Sequence, residues 1–127
     1  MVKSLGFGFL TCALALLTGC ASPASLRDGA PVLDVATAQA PDRVADCIGD
    51  QLELSAFTSH TRISTDLTGT GGYSVYGHQM LNGLDSAPDT IFLVDISAPE
   101  DGRSRIQLYT YFLTRDDWVP QTVRSCL

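Results

Sequence analysis

Lysine is almost missing from this 127-residue chain: there is one, at position 3, and every other formal positive charge at neutral pH is an arginine. Beyond that position the absence excludes Schiff-base chemistry, a phosphate-loop lysine and Ser-Lys dyads. Positive charge is scarce altogether, with 8 Lys and Arg against 14 Asp and Glu and a net charge of −6. The arginines form no run, which argues against nucleic acid and against direct adhesion to anionic lipid headgroups, since both need clustered cations. A cationic protein partner is compatible with such a surface. Histidine is limited to His60 and His78, with no His-x-x-x-His or Cys-x-x-Cys spacing beside them. A metal site would need Asp85 or Asp89 delivered by the fold, so no metal and no cofactor are expected.

Long apolar runs are equally rare. The one present, residues 5–17, follows Lys3 and is too short for a bilayer span of roughly 20 residues. A cation, an apolar middle and then small residues is the order of a secretory signal. The run closes on Leu17-Thr18-Gly19-Cys20, which resembles the lipobox of bacterial lipoprotein signal peptides. That resemblance implies a diacylglycerol on the Cys20 sulfur, cleavage just before it and acylation of the new amino terminus. One acyl chain holds a membrane marginally, at about 0.8 kcal/mol per buried CH₂, whereas two or three anchor a protein stably. Ala21 follows, not the aspartate that in enteric-type bacteria retains lipoproteins in the inner membrane, so the resemblance implies a lipid anchor in the outer membrane and a domain facing the periplasm.

The four cysteines then divide by position. Cys12 leaves with the signal and Cys20 carries lipid, leaving Cys47 and Cys126 in an oxidising envelope, where one disulfide is expected. In the chain-entropy model a loop of about 80 residues contributes roughly 4 kcal/mol. Two separate free thiols are the alternative. A catalytic pair is disfavoured, because neither cysteine sits in a Cys-x-x-Cys or beside a histidine.

The organisation expected is a signal peptide over 1–19, a lipidated cysteine and flexible tether over 20–40, and one small domain over 41–127. Small and polar residues with Pro23, Gly29 and Pro31 dominate the tether. Pro41 and Asp42 suit a helix start. Val44, Cys47, Ile48 and Leu52 recur at spacings of three and four, predicting a helix to about Leu54 with Cys47 turned inward. A strand is expected within 56–68, with Phe57 and Ile63 on one side and His60 and Arg62 on the other. Gly69-Thr70-Gly71-Gly72 reads as a turn, Tyr73–Met80 as a strand and "LNGLDSAPD" as a polar loop. Thr90–Ile96, β-branched and nearly all apolar, reads as a central strand. "APEDGRS" reverses the chain into Ser104–Leu113, where Ile106, Leu108, Thr110 and Phe112 alternate with Gln107, Tyr109, Tyr111 and Leu113. A terminal helix starts after Thr114 and Asp117, or at Pro120, and places Val123, Cys126 and Leu127 on one face. The fold class expected is α+β: a three- or four-stranded antiparallel meander, with an N-terminal and a C-terminal helix on one face joined by the disulfide.

No catalytic motif stands out. "GTGGYSVYG" lacks the third glycine of a dinucleotide loop and the second glycine of a nucleophile elbow, so it reads as a hairpin turn. Asp116-Asp117 reads as capping charge. Asp95 interrupts an apolar strand: facing the core it would need a partner such as Arg105 or Arg62, and otherwise it lies on the solvent side. Tyr73, Tyr76, Tyr109 and Tyr111 are the candidate binding surface, provided they share the sheet face that the helices leave open. The function expected is a non-catalytic accessory or binding component of the cell envelope. The alternative is an inhibitor or immunity-type protein that neutralises a cationic enzyme such as a lysozyme. "TGTGGYSVYG" resembles the Gly-and-Tyr loop of periplasmic lysozyme inhibitors, from whose all-β pattern a helix-borne Cys47 departs.

Overall fold

The computed structural model describes residues 22–56, 61–81, 84–98, 102–110 and 118–127. Its elements are α1 (Pro23–Arg27), β1 (Leu33–Thr37), α2 (Pro41–Ala56), β2 (Thr61–Leu67), β3 (Tyr73–Leu81), β4 (Leu84–Ser97), β5 (Ser104–Thr110) and α3 (Trp118–Ser125). The strands form one antiparallel sheet in the order β1-β5-β4-β3-β2. β2 to β5 are the expected meander, with β4 at the centre, and both long helices cover one face.

The sheet has five strands, not three or four, because part of the stretch expected as a tether is β1. Leu33 is buried in the core and Val35 packs against it. Two apolar positions at period two are too few to reveal a strand by pattern. What orders them is the edge of β5: Leu33 pairs with Leu108 and Val35 with Ile106, and the Val32 N–H donates to the Leu108 carbonyl at 2.8 Å. The segment that follows is tied down as well, since the Ser104 hydroxyl donates to the Gln39 carbonyl at 2.6 Å.

A second correction falls in "LNGLDSAPD", expected as a loop. Leu84 onward is strand, with Leu81 opposite Leu84 and Gln79 opposite Asp89. The register slips between Gln79 and Leu81, on the stretch of β4 that contains Pro88, a residue unable to donate to a ladder and tolerated where pairing is irregular.

α2 starts at Pro41 as expected and buries Val44, Ala45, Ile48 and Leu52. From the sheet, Val75, Phe92, Val94, Ile96, Ile106 and Leu108 meet it, and α3 adds Val119, Val123 and Cys126. The helix α3 begins at Trp118, which leaves Pro120 within its first turn, where the missing N–H costs nothing. Trp118 packs edge-on against Phe92, their ring centroids 6.1 Å apart. Cys47 and Cys126 form the disulfide, with Cα atoms 5.8 Å apart, and clamp α2 to the end of α3.

Two glycine features shape the meander. Gly71 and Gly102, in the β2–β3 and β4–β5 reversals, take φ of 78° and 77°, a region that a Cβ makes costly. Gly77 lies opposite Phe92 in the ladder, and the Phe92 ring occupies the space a Cβ would need. Phe57, His60, Phe112, Leu113, Thr114, Asp116 and Asp117 lie outside the described residues.

Candidate functional site

The helices α2 and α3 leave one face of the sheet to other occupants, and the polar chemistry of the chain gathers there. Alternation along each strand decides the membership. Ser64 pairs with Tyr76, Tyr76 with Leu93 and Leu93 with Tyr109 across four strands. Asp66, Ser74, Asp95, Gln107 and Asp34 form a parallel row.

α1 lies on this outer face. Pro23 opens it, and Ser22 and Ser25 close a reciprocal capping box, with Ser25 N–H donating to Ser22 Oγ at 3.2 Å and Ser22 N–H to Ser25 Oγ at 3.0 Å. A five-residue helix has no stability of its own, so tertiary contacts hold it. Leu26, buried, joins Leu93 and Tyr109 in a second small apolar cluster, with Tyr76 packed alongside. Arg27 then reaches Asp95 with two bonds, Nε to Oδ2 at 2.7 Å and Nη2 to Oδ1 at 2.9 Å. Ser74 Oγ donates to the same Oδ1 at 2.7 Å and accepts from Arg27 Nη2 at 3.3 Å.

Asp95 therefore faces away from the main core, and its partner is Arg27, neither Arg105 nor Arg62. Burial beneath α1 pushes the Asp95 carboxyl up, but the bonds from Arg27 and Ser74 outweigh it and hold the group below the ordinary carboxylate range. The same pairing raises the Arg27 guanidinium, chiefly through its hydrogen bond to Asp95. Arg105 is engaged elsewhere, in a two-bond pair with Asp34 at 2.9 and 2.7 Å. That pair is surface chemistry, and its carboxyl too is lowered, mainly by the Arg105 hydrogen bond.

Farther along β3 a second cluster surrounds His78. Its Nε2 lies 3.0 Å from Ser64 Oγ, its Nδ1 3.4 Å from Thr90 Oγ1, and its ring stacks on Tyr76 with centroids 5.9 Å apart and planes 12° from parallel. Each ring nitrogen thus lies within reach of a hydroxyl, and which of them donates depends on the tautomer. Ser64 and His78 have the spacing of a nucleophile and its base, and Thr90 Oγ1 is the group on the other ring nitrogen.

The four tyrosines do not form one surface. Tyr73 packs against the main core on the helix-covered side. Tyr76 and Tyr109 are on the outer face, where Leu26 covers them and leaves Tyr109 only 8% exposed. Tyr111 lies outside the described residues, as does His60. Asp85 and Asp89 fall on β4, with Asp89 opposite Gln79. Among the described residues no three His, Cys, Asp or Glu side chains gather as metal ligands.

Arg27, Leu26, Ser74, Ser64 and Thr90 escaped the reading of the sequence. For α1 a signal was present: Ser22-Pro23-x-Ser25 is a short capping pattern, followed by the stretch's sole Leu-Arg pair. Set against protein families, curated proteins and solved structures, the chain finds no match.

Proposed function

We propose that this protein is a lipid-anchored component of a bacterial cell envelope, held in the outer membrane through Cys20 and acting without catalysis as an accessory or binding partner. The observation that carries this reading is the pairing of sulfurs. Cys47 and Cys126 are bridged to each other, a state that belongs to an oxidising compartment. Cys20 is left at the end of the apolar run, in the motif Leu17-Thr18-Gly19-Cys20. On the outer face Arg27 is paired with Asp95 and Arg105 with Asp34, so these four charged groups are engaged in holding the fold.

Growth of a bacterial host with an alkyne-labelled fatty acid tests it. The full-length chain is expected to take up label and sediment with outer membranes, and Cys20→Ser to lose both properties. An unlabelled full-length chain in the soluble fraction would overturn the anchor.

A second reading, an inhibitor of a cationic enzyme, is favoured by one feature. Asp42, Asp46, Asp50 and Glu53 line the exposed side of α2 at spacings of four, four and three, with Arg43 beside them. Such a stripe costs the helix some repulsion and suits a basic surface. A complex with lysozyme that weakens as salt rises would favour this reading over the first.

A further inference from the structure

We infer that the outer face of the sheet, the side that carries α1, is the surface this protein lays against the phospholipid bilayer, with α2 and α3 turned away from it. The inference rests on the lipid anchor at Cys20 proposed above, and it replaces the picture of a domain roaming on a tether. Ser22 is already fixed as the N-cap of α1 by its capping box with Ser25. Two residue steps separate Ser22 from Cys20, a reach of at most about 7 Å. α1 cannot swing out to lengthen that leash, because Leu26 is buried against Leu93 and Tyr109 and Arg27 is bonded twice to Asp95. Acyl chains at Cys20 therefore leave the molecule beside the outer face, and that face is drawn to the headgroups.

Charge points the same way. On the outer face Arg27 is paired with Asp95 and Arg105 with Asp34, and Arg62 stands on the same side of β2 as Asp66, with Asp28 exposed at the end of α1, so opposite charges nearly balance there. The side formed by α2 and α3 exposes Asp42, Asp46, Asp50 and Glu53 against Arg43 and Arg124, and an anionic surface repels the excess negative charge. The stripe is thus presented to the periplasm, where a cationic partner can meet it.

The single tryptophan makes the orientation measurable. The full-length lipidated protein would be reconstituted into phosphatidylethanolamine–phosphatidylglycerol vesicles containing lipids brominated near the headgroup. Two proteins are compared: the native chain, whose Trp118 lies in the α3 layer, and Ala24→Trp in a Trp118→Phe background, which reports from the exposed side of α1. Should Trp118→Phe fail to fold, Ala24→Trp alone gives the same reading from its added emission. Position 24 is expected to lose most of its emission to bromine and Trp118 to keep its own. A Gly-Ser linker inserted between Ala21 and Ser22 should abolish the difference. Equal quenching at the two positions, or stronger quenching of Trp118, overturns the inference while leaving the anchor intact. A vesicle-bound chain whose mass lacks diacylglycerol at Cys20 overturns the anchor itself, and the inference with it.

Discussion

At the scale of single residues, the centre of the outer face is governed by Asp95, a carboxylate that the fold tolerates because Arg27 and Ser74 supply three hydrogen bonds to it. Its folded pKa is depressed, so its contribution to stability is complete above the ordinary aspartate value of about 3.9 and is lost as pH falls through the lower folded value. Asp95→Asn is accordingly expected to be about 1–2 kcal/mol less stable at neutral pH. That gap should narrow as pH falls below about 4, as followed by urea denaturation of both proteins from neutral pH into the acid range. A gap independent of pH would mean that charge is not what Asp95 contributes. Gly77 makes a steric demand of a different kind. A methyl at that position meets the Phe92 ring, so Gly77→Ala is expected to cost about 1–3 kcal/mol. Phe92→Leu in the same chain should recover part of the loss relative to the sum of the two single changes, a coupling that a double-mutant cycle reads directly.

Among the elements, β1 and α1 matter most, because they convert a presumed tether into part of the domain. Leu33 is 5% exposed, and Leu33→Ala is expected to lower stability by roughly 2–3 kcal/mol, measured by chemical denaturation of the soluble domain beginning at Cys20→Ser. A free tether would show no change. β1 left no sequence pattern and α1 only its short capping signature, for a physical reason: five-residue segments do not display a period, and their order comes from partners distant in sequence, Leu108 for β1 and Asp95 for α1. The long helix α2 and the strands β4 and β5 were legible because apolar residues recur on them often enough to define a face. The early part of β4 was not, since Pro88 and the polar residues around it carry loop chemistry that pairing with β3 overrides.

For the whole molecule, the Cys47–Cys126 bridge closes a loop with a sequence separation of 79 and ties the first long helix to the last. Removing it as Cys47→Ala/Cys126→Ala is expected to lower stability by about 2–4 kcal/mol. Equilibrium unfolding should show a lower midpoint, with the denaturant slope raised by a more expanded unfolded chain. An unchanged midpoint would place the stability of the fold in its core alone. The bridge was readable from position because only two cysteines remained once the apolar run and its terminal cysteine were set aside.

Composition and pattern by themselves determined that this is a small acidic α+β domain with a central apolar strand, an inward-facing Cys47 and a pairing with Cys126. Each of these depends on residue type or on periodicity along a single element, which the chain carries locally. Tertiary structure alone decided that the sheet gains a fifth strand and that Asp95 answers to Arg27. It also decided that the described tyrosines divide between two faces and that Ser22 caps a helix packed on the outer face of the sheet. Those outcomes depend on which strand edge is open and which face two long helices leave uncovered, and such facts exist only once segments far apart in the chain have packed together.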